Sequence, residues 1–87
     1  MSQTVERALQ ILGLISASPR SLSQVAEKIG VHKSTALRLL QTLEKADTVR
    51  QNSAGKYVLG FGLIPLAESA INQIDTRGIA HPFLEEL

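Results

Sequence analysis

The chain contains no cysteine, which excludes a disulfide framework, thiol chemistry and cysteine-ligated zinc. A metal site would have to rest on carboxylates and the two histidines, His32 and His81, and neither has neighbours at metal-ligand spacing. Aromatic residues make up only 3% of the sequence against a hydrophobic share of 44%. The core must therefore be built from Leu, Ile, Val and Ala, a composition that favours packed helices over a β-sandwich. No apolar run approaches the roughly 20 residues of a membrane span, and the start lacks the charged-then-apolar pattern of a signal peptide. The expectation is a cytoplasmic protein with no membrane partner. There is no phosphate-binding glycine loop, Ser34 and Ser53 have no His-acid partner close in sequence, and no carboxylate pair falls on an apolar face. No catalytic residue, metal or cofactor is assigned, and an enzyme is not expected.

What is present is one small domain's worth of chain. Eighty-seven residues support a single core and an appendage, but not a second, ligand-binding domain. The formal net charge is only +1, yet its distribution is uneven. Between residues 20 and 56, Arg20, Lys28, Lys33, Arg38, Lys45, Arg50 and Lys56 outnumber Glu27, Glu44 and Asp47. Beyond residue 56, Arg77 stands alone against Glu68, Asp75, Glu85 and Glu86. A basic middle followed by an acidic end points to a polyanion partner for the middle.

Hydrophobic periodicity predicts a first amphipathic helix over 4–16, through Val5, Ala8, Leu9, Ile11, Leu12 and Ile15, stopped before Pro19. Ser21 and Ser23 both qualify as N-caps of a short second helix, 23–29, and Ser21 with Gln24 has capping-box spacing. Gly30 falls where a left-handed C-terminal cap belongs. A third helix, 33–46, follows almost at once, with Ala36, Leu39, Leu40 and Leu43 on one arc. Two helices joined by so short a glycine-containing turn cross steeply, which is the helix-turn-helix arrangement. Two alternating runs around Asn52-Ser53-Ala54-Gly55 then predict a β-hairpin over about 48–59, a wing. Helical spacing returns through Leu63, Ile64, Leu66, Ala67, Ala70, Ile71 and Ile74, an apolar face larger than one short helix needs for its own core. The predicted fold class is mainly α with a small hairpin: a winged helix-turn-helix (1–60), a linker or dimerisation helix (61–77), and residues 78–87 as the opening turns of a truncated C-terminal domain.

On a helical wheel, Leu39, Leu40 and Leu43 lie within about 60° of Ala36, while Ser34, Arg38, Gln41 and Lys45 lie opposite, flanked by Thr35 and Thr42. Such a set suits the major groove of double-stranded DNA. Arg donates two bonds to guanine, Gln pairs with adenine, and Ser or Thr bonds bases or phosphates. Lys33 with the open helix start favours a phosphate, and Arg50 and Lys56 on the wing reach the backbone or minor groove. Arg20 and Lys28 are weaker candidates. Taken singly each residue reads as ordinary solvated surface, and His32 as a turn residue. It is the conjunction of steep turn, polar helix face and hairpin that points to DNA.

The segment GVHKSTALRLLQTL, 30–43, resembles the recognition segment of the IclR family of bacterial transcriptional regulators. VERALQIL, SLSQVAEKIG, KYVLG and HPFLEEL follow the family's N-terminal region in the same order, so the resemblance spans essentially the whole chain. It implies a DNA-binding domain, a linker helix that helps dimerise it, and a larger C-terminal domain that senses a small metabolite. By the same resemblance Ser34, Thr35 and Arg38 match the positions that enter the major groove, and Lys56 matches a basic wing position. One departure stands out: where the family has a glycine and an apolar residue after the third helix, this chain has Asp47 and Thr48.

Two copies are expected to associate as a homodimer or higher oligomer through Leu9, Leu12, Leu63, Leu66, Ala70, Ile71 and Ile74, placing two recognition helices on a palindromic operator. A small-molecule effector would act only through the missing C-terminal domain. The competing expectation is a winged-helix protein-interaction module in which the apolar 63–74 face is the functional surface and the third helix merely completes the fold.

Overall fold

The computed structural model describes residues 3–76. They form α1 (Gln3–Ala17), α2 (Leu22–Ile29), α3 (Lys33–Lys45), β1 (Val49–Gln51), β2 (Tyr57–Leu59) and α4 (Leu63–Thr76). The elements come in the predicted order with ends shifted by a residue or two. The expected opening of a further domain, 78–87, and His81 lie outside the described residues.

Of the two candidate caps for α2, Ser21 is used. Its hydroxyl accepts from the Gln24 amide at 3.2 Å, and the Ser21 amide donates to Gln24 Oε1 at 2.9 Å, closing a capping box. The helix ends at Gly30, whose φ of 71° puts it in the left-handed region. The Val31 amide reaches back to Ala26 O at 3.0 Å and that of Gly30 to Glu27 O at 3.3 Å, a Schellman motif. This turns the chain sharply into α3.

The same motif closes α3, with aspartate in the glycine's place. Asp47 adopts φ 62°, its amide donates to Glu44 O at 2.9 Å, and the Thr48 amide donates to Leu43 O at 3.0 Å. Thr48 then explains why a polar residue is tolerated where an apolar one was expected: its half-buried hydroxyl donates a second bond to Leu43 O at 2.9 Å. The corner is therefore a left-handed closure held by the Asp47 and Thr48 amides together with the Thr48 hydroxyl.

β1 and β2 pair antiparallel in the register Val49↔Leu59, Arg50↔Val58, Gln51↔Tyr57. Asn52 organises the turn, its Oδ1 accepting from the Ala54 amide at 2.9 Å and the Lys56 amide at 3.0 Å. Arg20, between α1 and α2, adds a one-residue bridge to Tyr57 through reciprocal backbone bonds of 3.1 and 2.7 Å. The hairpin is thereby tied to the helices.

Ile11 and Ile15 of α1, Val25 and Ala26 of α2, Ala36 and Leu40 of α3, Val49 of β1 and Tyr57 of β2 make the core. It is aliphatic, as the shortage of aromatics requires. Tyr57 takes part as an apolar body: burial, with the charge of Glu44 as a smaller cause, pushes its phenol above the ordinary value of 10.0, so it is neutral in the fold. Gly60 fixes where the chain leaves this core. Its amide donates to Thr48 O at 2.8 Å, and a Cβ there would clash with Asp47 O. Only a residue without a side chain lets the end of the wing cross the α3–β1 corner so closely.

Candidate nucleic-acid interface

α3 is anchored by Ala36 and Leu40, both fully buried. Leu39 and Leu43 turn the same way but are only half-buried. They floor an apolar groove against α1 that also includes Val5, Ala8, Leu9 and Leu12. With the leucines committed inward, Lys33, Ser34, Arg38, Gln41 and Lys45 stand exposed on the opposite side. A shallow depression on this face is lined by Arg38, Gln41, Thr42, Glu44 and Lys45. Among the described residues, none of Lys33, Arg38 or Lys45 takes part in an ion pair. Their charge is available to an external anion.

The two threonines predicted for the site differ from the rest. Thr35 is half-buried and stands at the border of the face. Thr42 is exposed, but its hydroxyl donates to Arg38 O at 3.0 Å. With its proton committed, that oxygen can accept from a nucleic-acid donor but has none to offer a phosphate.

The two helix starts of the helix-turn-helix contrast. α2 is closed by its capping box, whereas His32, the N-cap of α3, makes no side-chain capping bond. The first amides of α3 and its positive dipole end are left open beside Lys33, the arrangement that receives a phosphate.

The wing candidates separate. Lys56 is exposed next to the hairpin turn, without an ion pair among the described residues. Arg50 is exposed too, but its guanidinium carbon sits 4.6 Å from the centre of the Phe61 ring, a cation–π contact joining the wing to the segment before α4. Sequence reasoning passed over Phe61, because a ring two residues after the hairpin gives no sign that it will meet β1. Arg20 is unsuited to the role: it is half-buried and its Nε is buried with no partner. Lys28 lies away from the α3 face, beside Gln10, Gly13 and Ile29.

The residues expected to mediate association also divide. Leu9 and Leu66 are well exposed, at 56% and 63%, and Ala70 and Ile71 are exposed as well. Leu63 and Ile74 are half-buried, and Leu12 packs in part on the core of its own chain. Val5 and Ile64 are further exposed apolar side chains that extend this set.

The arrangement of helices around an exposed polar α3, with a hairpin behind it, is matched in sequence as well as in shape. The sequence profile of the IclR helix-turn-helix domain fits residues 4–53. The chain belongs to the IclR family. It is 39% identical over 88 residues to the HTH-type transcriptional regulator XynR of Escherichia coli, covering 98% of this chain and 35% of that protein. It is 33% identical over 88 residues to the glycerol operon regulatory protein of Streptomyces coelicolor, again covering 98% of this chain and 35% of the relative. The crystal structure of an IclR transcriptional regulator from Alicyclobacillus acidocaldarius superposes with a TM-score of 0.84 at 36% identity, over 98% of this chain and 35% of that one. The chain thus spans about a third of the length of its IclR relatives and carries the family's DNA-binding winged helix. These relatives are regulators of transcription, not enzymes. No helix among the described residues is long and apolar enough to cross a membrane.

Proposed function

We propose that this chain is the operator-reading end of a dimeric, metabolite-responsive regulator of transcription that works in the cytoplasm. One observation carries the reading: on α3, Ala36 and Leu40 are fully buried while Arg38, with Ser34, Gln41 and Lys45 beside it, is exposed and has no ion pair among the described residues. Arg38 and Gln41 read base edges in the major groove, Ser34 and Thr35 add hydroxyl contacts, and Thr42 serves as an acceptor. Lys33 and the open start of α3 hold one phosphate, and Lys56 reaches the backbone beside the main site. Arg50 contributes from the flank while stacked on Phe61, which satisfies none of its hydrogen-bond donors.

In this reading residues 1–60 are the DNA-binding unit, 61–77 the linker that joins two copies, and 78–87 the beginning of an effector-binding domain in the longer protein. Leu9 and Leu12 of α1 and Leu63, Leu66, Ala70, Ile71 and Ile74 of α4 supply the association surface. Two-fold symmetry sets the target as a palindrome with half-sites about one helical turn apart or a multiple of it. A small metabolite bound by the longer protein would shift the dimer between geometries that fit the operator differently.

The exposed apolar face of α4 also favours the rival reading, a protein-interaction module without DNA readout. One experiment separates the two: selection of bound duplexes from a random library by the full-length protein. A two-fold symmetric enriched motif is the expected result. Absence of enrichment, together with no salt-dependent attraction for nonspecific duplex, would leave the interaction module standing.

A further inference from the structure

All but one of the apolar side chains on α3 are used by the core. Ala36 and Leu40 are buried in it, and Leu39 and Leu43 pack against it. Leu37 is the exception: it is 36% exposed and does not belong to the core or to the shell packed on it. Its position on the helix, about 100° from Ala36, places it at the edge of the readout face. Ser34 lies three residues before it and Gln41 four after, so the three are neighbours on one ridge, and both flanking residues are exposed.

We infer that Leu37 is a specificity-determining residue that reads the C5-methyl group of a pyrimidine in the major groove. This rests on the operator-reading function proposed above. The major groove presents one apolar feature among its donors and acceptors, the thymine methyl, and apolar side chains recognise it by contact. Leucine has no hydrogen-bonding group, so at this point of the ridge it rejects an exposed base donor or acceptor by leaving it unpaired, and rewards a methyl by burying it. Leu37 and Gln41 stand about 6 Å apart along the helix axis, a little under two base-pair steps. Gln41 on an adenine and Leu37 on a nearby thymine methyl therefore select a short A·T-containing element within the half-site. The same methyl occurs on 5-methylcytosine, and the chemistry of contact is shared.

The test is a double-mutant cycle on the selected operator. Each thymine of a half-site is replaced in turn by uracil, which removes only the methyl, and binding is measured for the wild-type full-length protein and for Leu37→Ala. Because Leu37 is outside the core, the alanine variant folds, and its unchanged circular dichroism and thermal midpoint serve as the control. At one position per half-site the wild type loses about fourfold in affinity, the value of one buried methyl group, and Leu37→Ala shows no loss there. A uracil penalty equal in the two proteins at every position overturns the inference while leaving the operator-reading function intact. Failure of the wild type to bind any duplex in a salt-dependent manner overturns both. A further arm places cytosine and 5-methylcytosine at the sensitive position. Because these two bases differ only by the methyl, tighter binding of 5-methylcytosine than of cytosine by the wild type, absent in Leu37→Ala, identifies the methyl group itself as what is read, and equal binding of the two refutes it.

Discussion

In the helix-turn-helix and wing, Ile11, Val25 and Leu40 lose all contact with solvent. In α4, made of the same kinds of residue, none of the described side chains is buried, and Ile64, Leu66 and Ile71 remain exposed. Residues 3–60 thus enclose a core of their own, with Val5, Leu9 and Leu37 left exposed at its margin. α4 leaves the unit after Gly60 with Ile64, Leu66 and Ile71 exposed, uncovered by the other described residues. The polar face of α3 and the apolar face of α4 are both uncovered, but for different reasons. One carries free cations and hydrogen-bond donors suited to a polyanion, and the other carries hydrocarbon, which is stabilised only by more hydrocarbon.

The sharpest way to break this comparison is to shorten a leucine on each side. Leu40→Ala is expected to cost about 2–5 kcal/mol of unfolding free energy, measured by urea denaturation. Leu66→Ala is expected to change the unfolding of the dilute chain by less than about 0.5 kcal/mol and to weaken self-association of the full-length protein in sedimentation. Comparable unfolding losses would mean that α4 belongs to the same core after all. At the joint between the two regions, Gly60→Ala forces a Cβ against Asp47 O. The expected loss is about 1–3 kcal/mol, the usual cost of overpacking, seen as a lowered urea midpoint without loss of helix content.

On the α3 face, Arg38→Ala should weaken operator binding by about 1–3 kcal/mol and relax preference at one base pair, with unfolding unchanged. Equal weakening on all sequences would reassign Arg38 to a phosphate. Asp47→Gly relieves a left-handed residue that carries a side chain. It should stabilise the domain by up to about 1 kcal/mol, readable as a rise in thermal midpoint, and leave DNA affinity untouched. The smallest effect expected is that of Lys56→Ala: a uniform weakening across sequences and a salt dependence shallower by roughly one unit of slope.

Much of this was legible in the residues alone. Local signals are decided within a turn or two of chain, and these were readable: the Ser21–Gln24 capping box, the left-handed Gly30, the Asn52–Gly55 turn and the inward arc of α3. The wheel correctly separates Arg38 from Leu40 because both directions follow from helical geometry. It does not grade burial within the arc. Leu39 and Leu43 are half-buried where Leu40 is sealed, because cover depends on how far α1 reaches across them, and α1 leaves an open groove. Nor does it single out Leu37. A leucine on a wheel reads as a member of the core until the neighbouring elements are in place and leave part of it exposed.

Neighbouring residues alone settle the order of elements, the left-handed stop of α2 at Gly30 and the chemistry of the α3 face, since each depends on contacts between residues a few positions apart. Only the packing of segments shows which of the two serines caps α2, that Arg50 meets Phe61, that Thr48 secures the corner at Asp47, that Gly60 must pass the corner without a Cβ, and that Ile64, Leu66 and Ile71 of α4 stay in solvent. Those are distances between segments, set by how the elements pack, and hydrophobic periodicity along one segment carries no information about them.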